Sequence, residues 1–219
     1  MAGLAYGGTN FNTSDSKVPE PALSQGWYAS GEFNLQLSGI YAFTENEYFA
    51  DRYIQADHGW GGSIDAKYFL NRYLAVGLEG YAFSATQTRH LITIVGPFTT
   101  FSTLREEQLM GAGLVTLTLR APIGTSRFAP FGFVGVGAIA GGGRHLQFEF
   151  VGFAGLPPGA SPYRIFFSES ATEAVGQLGG GLEIRLSRHF GVVSDFSWNV
   201  VDGRDNNFGM MRTGLNLAF

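Results

Sequence analysis

The residues of this 219-residue chain best suited to chemistry are ionisable side chains placed singly among apolar or small neighbours. They are Glu32, Asp65, Lys67, Glu79, Arg120, Glu173, Glu183, Arg185, Asp195 and Arg212. In extended backbone, neighbouring side chains point to opposite faces, so each of these leaves the side its neighbours occupy. If they share an interior they must pair, because an unpaired charge in a confined space is costly. Arg is the base at three of the four basic positions, which favours fixed, bidentate pairing with carboxylates. Nucleophilic chemistry needs a Ser with a His and a carboxylate at hand. The histidines are His58, His90, His145 and His189, and the nearest serine partners (Ser63 for His58, Ser187 for His189) match no catalytic pattern. No two histidines share ligand spacing, so neither a metal site, a cofactor nor an enzymatic centre is expected. Gly135-Val136-Gly137 continues a strand pattern with no helix after it, which excludes a phosphate loop.

Composition narrows the class. Lys and Arg number 14 against 18 Asp and Glu, only 15% of residues are charged, and aromatics reach 15%. A disordered chain would be charged and poor in aromatics. A nucleic-acid binder would be basic, so no nucleic-acid partner is expected. Cys is absent, which removes disulfide scaffolds. A membrane helix needs roughly 18 consecutive apolar residues. The longest uncharged run, 128–143, contains Pro130 and six glycines, residues that disfavour a helix interior. Residues 1–8 lack a basic and apolar leader, so the sequence is read as a mature form without its signal peptide.

The elements that must position the charges follow a period of two. From Trp27 to Phe43 the odd positions are apolar or small, while the even positions include Tyr28, Glu32, Asn34 and Gln36. The same alternation recurs, and it predicts eight strands, over 26–43, 56–70, 72–86, 104–120, 127–143, 170–187, 190–201 and 207–219. Strand 127–143 is apolar or Gly on both sides and has no assignable phase. Short connections near Asn71, 121–126 and 187–189 alternate with longer ones at 44–55, 87–103, 144–169 and 202–206. That pattern is an up-and-down meander, and eight tilted strands can close on themselves and abolish the exposed edges. The fold class is therefore all-β, an eight-stranded antiparallel up-and-down barrel over 26–219, with residues 1–25 a flexible lead-in.

Three features turn the apolar face outward to lipid. The polar face is mostly Ser, Thr, Asn, Gln and Gly with few charges, unlike a solvated surface. Aromatics gather in two belts, with Trp27, Tyr68, Tyr73, Phe128, Phe190 and Phe219 at the short-turn end. The long-loop end carries Tyr41, Phe43, Trp60, Phe83, Trp198 and Phe208, and such rings prefer the headgroup level. The chain also ends on Gly-Leu-Asn-Leu-Ala-Phe (214–219), with Phe219 in the apolar phase.

This ending resembles the C-terminal strand signature of bacterial outer-membrane proteins. The segments YLAVGLE (73–79) and PFGFVGVG (130–137) are similar to strands of the eight-stranded OmpA-type transmembrane domain family. The resemblance covers 26–219 and implies a transmembrane barrel in the bacterial outer membrane. Phe219 would be read by the barrel-insertion machinery, and outer-membrane lipid and lipopolysaccharide would be the surroundings. There is no peptidoglycan-binding domain after the barrel as in full-length OmpA, so no wall-anchoring role is implied. Barrels of this type carry an interior Arg–carboxylate cluster, for which Glu79, Arg120, Glu183 and Arg212 are the candidates here. Such a cluster is either a structural polar plug or a gate in a narrow ion path.

The segment 144–169 holds Phe148, Phe150, Phe153, Phe166 and Phe167 around Pro157-Pro158-Gly159. Its flanking alternation predicts a hairpin beyond the membrane. Such a segment is either a packed loop cap or an exposed apolar contact surface for a protein partner, a lipid chain or a surface layer at the extracellular loops. The expected role is structural or interactional, through loops 44–55, 87–103 and 144–169. Alternatives are a narrow ion or small-solute channel, and a soluble lipocalin-like carrier with the faces reversed. Outward glycines Gly111, Gly113, Gly176 and Gly180 suit either barrel–barrel contact or strand curvature.

Overall fold

The computed structural model describes residues 26–43, 53–54, 58–95, 98–142, 146–150, 163–167, 170–202 and 207–219. Side chains of 87–106, 146–150 and 163–167 are outside that description. Among the described residues the regular elements are all strands: β1 (Phe33–Phe43), β2 (His58–Phe69), β3 (Leu74–Val95), β4 (Phe98–Arg120), β5 (Phe128–Gly142), β6 (Leu146–Phe150), β7 (Tyr163–Phe167), β8 (Ala171–Arg185), β9 (Phe190–Val201) and β10 (Phe208–Ala218). Eight of them close a barrel in the order β1-β10-β9-β8-β5-β4-β3-β2, and β6 and β7 form a separate two-stranded ladder. Every pairing is antiparallel, and β1 meets β10 in a continuous register from Asn34↔Ala218 to Phe43↔Gly209. Closure leaves no unpaired edge, the condition a sheet must meet to cross hydrocarbon.

The alternation sorts side chains as expected for lipid outside and polar groups inside. Leu37, Ile64, Leu78, Leu109, Val115, Leu119, Val136, Leu178 and Leu215 lie on the exposed outer surface, while Asp65, Glu79, Arg120, Glu183, Arg185, Asp195 and Arg212 are buried. A one-residue slip in any strand would reverse this. The phase of β5 is now clear: Ala129, Phe133, Gly135 and Ile139 are buried within the barrel, and Val134, Val136 and Ala138 face out. Two large apolar residues inside one strand explain why its sequence shows no polar face.

Four expectations change. The first strand begins at Phe33, not 26; Gly31 adopts φ +75°, a conformation favourable to Gly that ends the extended run. Residues 26–32 instead turn beneath the barrel, with the Gly31 N–H donating to the Phe69 carbonyl at 2.8 Å. The segment 87–103 is largely ladder: β3 and β4 stay paired out to Val95↔Phe98. Phe83 and Phe208 do not belong to the outer aromatic belt, being 1% and 0% exposed inside the barrel, whereas Trp60 is 67% exposed on the outside. Glu173, in the inward phase near the end of the barrel, is half-buried where the other nine inward charges are buried.

Candidate functional site

The interior has two storeys. The lower one, toward the short turns, is ionic. Glu32 Oε1 accepts from Arg120 Nη1 at 2.9 Å and from Arg185 Nη2 at 2.5 Å. Arg185 Nε pairs with Glu183 Oε1, and Arg120 Nη1 lies 3.6 Å from Glu183 Oε2. Asn216 Nδ2 also donates to Glu183 at 2.7 Å. Two guanidiniums and two carboxylates thus neutralise one another. Tyr28 closes the floor: its ring lies 4.6 Å from the Arg120 guanidinium carbon and 5.1 Å from that of Arg185, and its hydroxyl donates to the Arg127 carbonyl at 2.7 Å. Phe69 covers Arg120 at 3.5 Å, a desolvated cation–π contact.

A second group sits farther up. Arg212 pairs with Glu79 from β3 and donates its Nε to Asp195 of β9 at 2.7 Å. Lys67 Nζ lies 2.6 Å from Asp65. Asp65 and Glu79 are direct partners across β2 and β3, so two like charges face one another and each needs its own cation. The ring of Phe133 serves both cations, 5.0 Å from the Arg212 guanidinium carbon and 5.9 Å from Lys67 Nζ. Gln177 links this group to Ser197 by donating to Glu79 at 3.2 Å and to Ser197 at 3.4 Å.

Above the charges the interior becomes apolar. Ile40, Ala42, Tyr81, Phe83, Met110, Leu114, Ile139, Val201, Phe208 and Met210 form one buried cluster. Tyr53 and Ile54, from the connection between β1 and β2, join it at 2% and 3% exposure. The Tyr53 hydroxyl donates to the Ala171 carbonyl at 2.8 Å, and its ring occupies the space a side chain at Gly142 would need. Part of the 44–55 connection, expected to be displayed, is thus turned into the barrel mouth.

The four charges singled out from sequence fall into two groups. Glu79 and Arg212 pair in the upper group, and Arg120 and Glu183 stand together in the lower one. Glu32, Arg185, Asp195, Asp65 and Lys67, equally in the inward phase, complete the two groups. Tyr28 and the Tyr53–Ile54 cap were not anticipated. Tyr28 shares the even phase with Glu32, which was the available signal; Tyr53 follows no strand pattern at all. Phe219 is 71% exposed and exchanges backbone hydrogen bonds with Phe33 at 2.9 and 3.1 Å, closing the barrel seam. Of the loop phenylalanines, Phe148 and Phe150 lie on β6 opposite Ile165 and Tyr163, while Phe167 lies opposite Leu146 and Phe166 opposite Gln147. Phe153 is outside the described residues. His189 directs Nδ1 toward the Ala218 carbonyl at 2.9 Å, and His58 lies at the rim; His90 and His145 are outside the side-chain description.

A closed antiparallel barrel with an apolar exterior and an ion-paired interior is a membrane-spanning β-barrel. Residues 2–219 match the family model of the outer membrane protein beta-barrel domain, and the chain belongs to that family of integral outer-membrane barrels. Among solved structures it is similar to Neisserial surface protein A, with TM-score 0.55 and 14% identity over 87% of this chain and 99% of that one. It is also similar to Ail, the attachment invasion locus protein of Yersinia pestis, in a complex with the heparin analogue sucrose octasulfate, with TM-score 0.52 and 14% identity over 87% and 99%. The outer membrane protein OprG of Pseudomonas aeruginosa follows with TM-score 0.50 and 12% identity over 88% and 97%. At these identities the likeness is one of fold. No curated protein sequence matches the chain.

Proposed function

We propose that this barrel is a structural and interaction protein of the outer membrane surface, a scaffold that holds extracellular segments, and that it does not conduct. One observation carries this reading: among the described residues, ion pairs occupy the lower interior and a cluster of buried apolar side chains the upper. The cavity between Asn34, Asp65, Lys67, Thr118, Arg120 and Asn216 has a volume of about 20 Å³, room for about one water molecule. Such an interior suits neither a solute path nor a carrier of apolar ligands, whose binding space would be far larger. The surface available for work is then the extracellular end, where β3 and β4 extend as a long hairpin and β6 and β7 form another.

The chemistry of that end favours basic or apolar partners. In the segments 44–57 and 202–207 acids outnumber bases, and in 87–107 and 144–169 they balance. A polysulfated ligand such as the one bound by Ail therefore has little electrostatic attraction here. The test replaces residues 146–167 by a short Gly-Ser linker in cells displaying the protein. The barrel should keep its heat-dependent gel mobility while surface adhesion or partner capture is lost. Unchanged adhesion in the folded deletion variant would overturn the interaction role of this hairpin.

A further inference from the structure

The rim at the short-turn end carries a charge distribution that the interior does not use. Its turns hold Arg72 between β2 and β3, Arg127 between β4 and β5, and Arg188 with His189 between β8 and β9, and none of these turns contains Asp or Glu. Nearby Glu32 is buried and committed to Arg120 and Arg185. The three turns are neighbours: Arg72 Nη2 donates to the Gly124 carbonyl at 2.8 Å, and the Arg185 N–H donates to the Arg127 carbonyl at 2.9 Å. The arginines therefore form an arc, with Arg127 and Arg188 exposed.

The arc sits directly on the lipid-facing belt. Leu70, Tyr73, Ile123, Phe128, Leu186 and Phe219 are exposed just membrane-side of it. Aromatic faces hold two of the guanidiniums in place, with Arg127 4.6 Å from the Trp27 ring and Arg72 5.8 Å from the Tyr73 ring. The Nε of Arg72 is shielded from solvent and makes no hydrogen bond among the described residues. A recess of about 360 Å³ bordered by Trp27, Ser30, Arg188, His189 and Phe219 opens beside the arc. Long cationic side chains placed one turn beyond an apolar belt reach the headgroup level, and short turns face the periplasm in this kind of barrel.

We propose that this arc binds the phosphate of anionic phospholipids in the periplasmic leaflet of the outer membrane. Guanidinium matches phosphate in bidentate geometry. The occupant is a lipid, because the site is continuous with the acyl-facing belt.

The full chain is equilibrated in mixed micelles of phosphatidylglycerol and phosphatidylcholine at equal amounts, with identical acyl chains, and retained lipids are counted by native mass spectrometry. Phosphatidylglycerol should be retained in several-fold excess. Each Arg→Gln change at Arg72, Arg127 or Arg188 should reduce that excess, by up to about fivefold, the equivalent of roughly 1 kcal/mol per basic residue near an anionic surface. Heat-dependent gel mobility verifies that each variant is folded, and the single variants serve if the triple one is not. The triple Arg→Lys variant, which keeps the charge but loses the fork, should fall between the unaltered protein and the triple Arg→Gln variant, and Arg52→Gln with Arg204→Gln, in the β1–β2 and β9–β10 connections, should leave the preference unchanged. Equal retention of the two lipids by the unaltered protein would overturn the proposal. So would an unchanged preference in the folded Gln variants, or a preference abolished by the Arg52→Gln and Arg204→Gln changes.

Discussion

Arg212 of β10 and Asp195 of β9 are direct partners across the barrel wall, and the Arg212 Nε donates to Asp195 Oδ1 at 2.7 Å. The same guanidinium reaches across the interior to Glu79 on β3. One side chain therefore ties adjacent strands together and braces them against the opposite wall.

Removing that brace leaves two buried carboxylates without their cation. Arg212→Met should lower stability by about 3–5 kcal/mol, the usual cost of breaking a buried pair from one side. Adding Glu79→Gln and Asp195→Asn to the same chain should recover much of the loss, because no uncompensated charge then remains. The urea midpoint in phospholipid vesicles, followed by the folded-band mobility on gels, measures both.

The floor should be acid-labile. Burial by itself would raise the Glu32 pKa, but the Arg120 and Arg185 guanidiniums outweigh it and hold the carboxyl below its ordinary value of 4.5. A carboxyl depressed on folding contributes stability above its unfolded pKa and loses it as the pH falls through the folded one. Acidification below about pH 4.5 should accordingly release residues 26–32, whereas neutral and alkaline conditions keep them seated. Trp27 emission in a Trp60→Phe, Trp198→Phe background reports the release, and Glu32→Gln should abolish the acid transition.

Two glycines distinguish the inner wall from the outer one. A Cβ at Gly179 would lie 2.8 Å from Phe133 Cε1 and 2.6 Å from the Phe196 carbonyl oxygen, while a Cβ at Gly113 would meet nothing within 4 Å. Gly179→Ala should cost about 1–3 kcal/mol by overpacking. Gly113→Ala should stay within about 0.5 kcal/mol of the unaltered protein. Equal effects at both sites, in the same urea titration, would contradict the assigned faces.

What the sequence made legible follows from the period of two. It separated Glu79 from Leu78 and Arg212 from Met211, and it placed the charges on one wall of seven strands. Strand β5 resisted because Phe133 and Ile139 are apolar residues inside the barrel, there to pack against the cations and the upper cluster. Phe83 and Phe208 read as belt residues since both aromatics and interior plugs occur at strand ends. The alternation of 26–32 continued unbroken past a turn that only the backbone at Gly31 reveals. The extension of β3 and β4 was hidden because a ladder outside the membrane needs no apolar face. Partnerships across the interior, such as Glu32 with Arg185 at a separation of 153 residues, depend on closure and register, which no local pattern encodes.

The proposed scaffold role requires a barrel closed to ions at both ends, by Tyr28 and Glu32 below and by Tyr53 and Ile54 above. Planar-bilayer recording of the refolded full chain tests it most directly. No unitary current above that of the bare bilayer is expected at any holding potential the membrane withstands. Reproducible unitary steps from homogeneous, heat-modifiable protein would contradict it and would assign the Arg–carboxylate groups to an ion path.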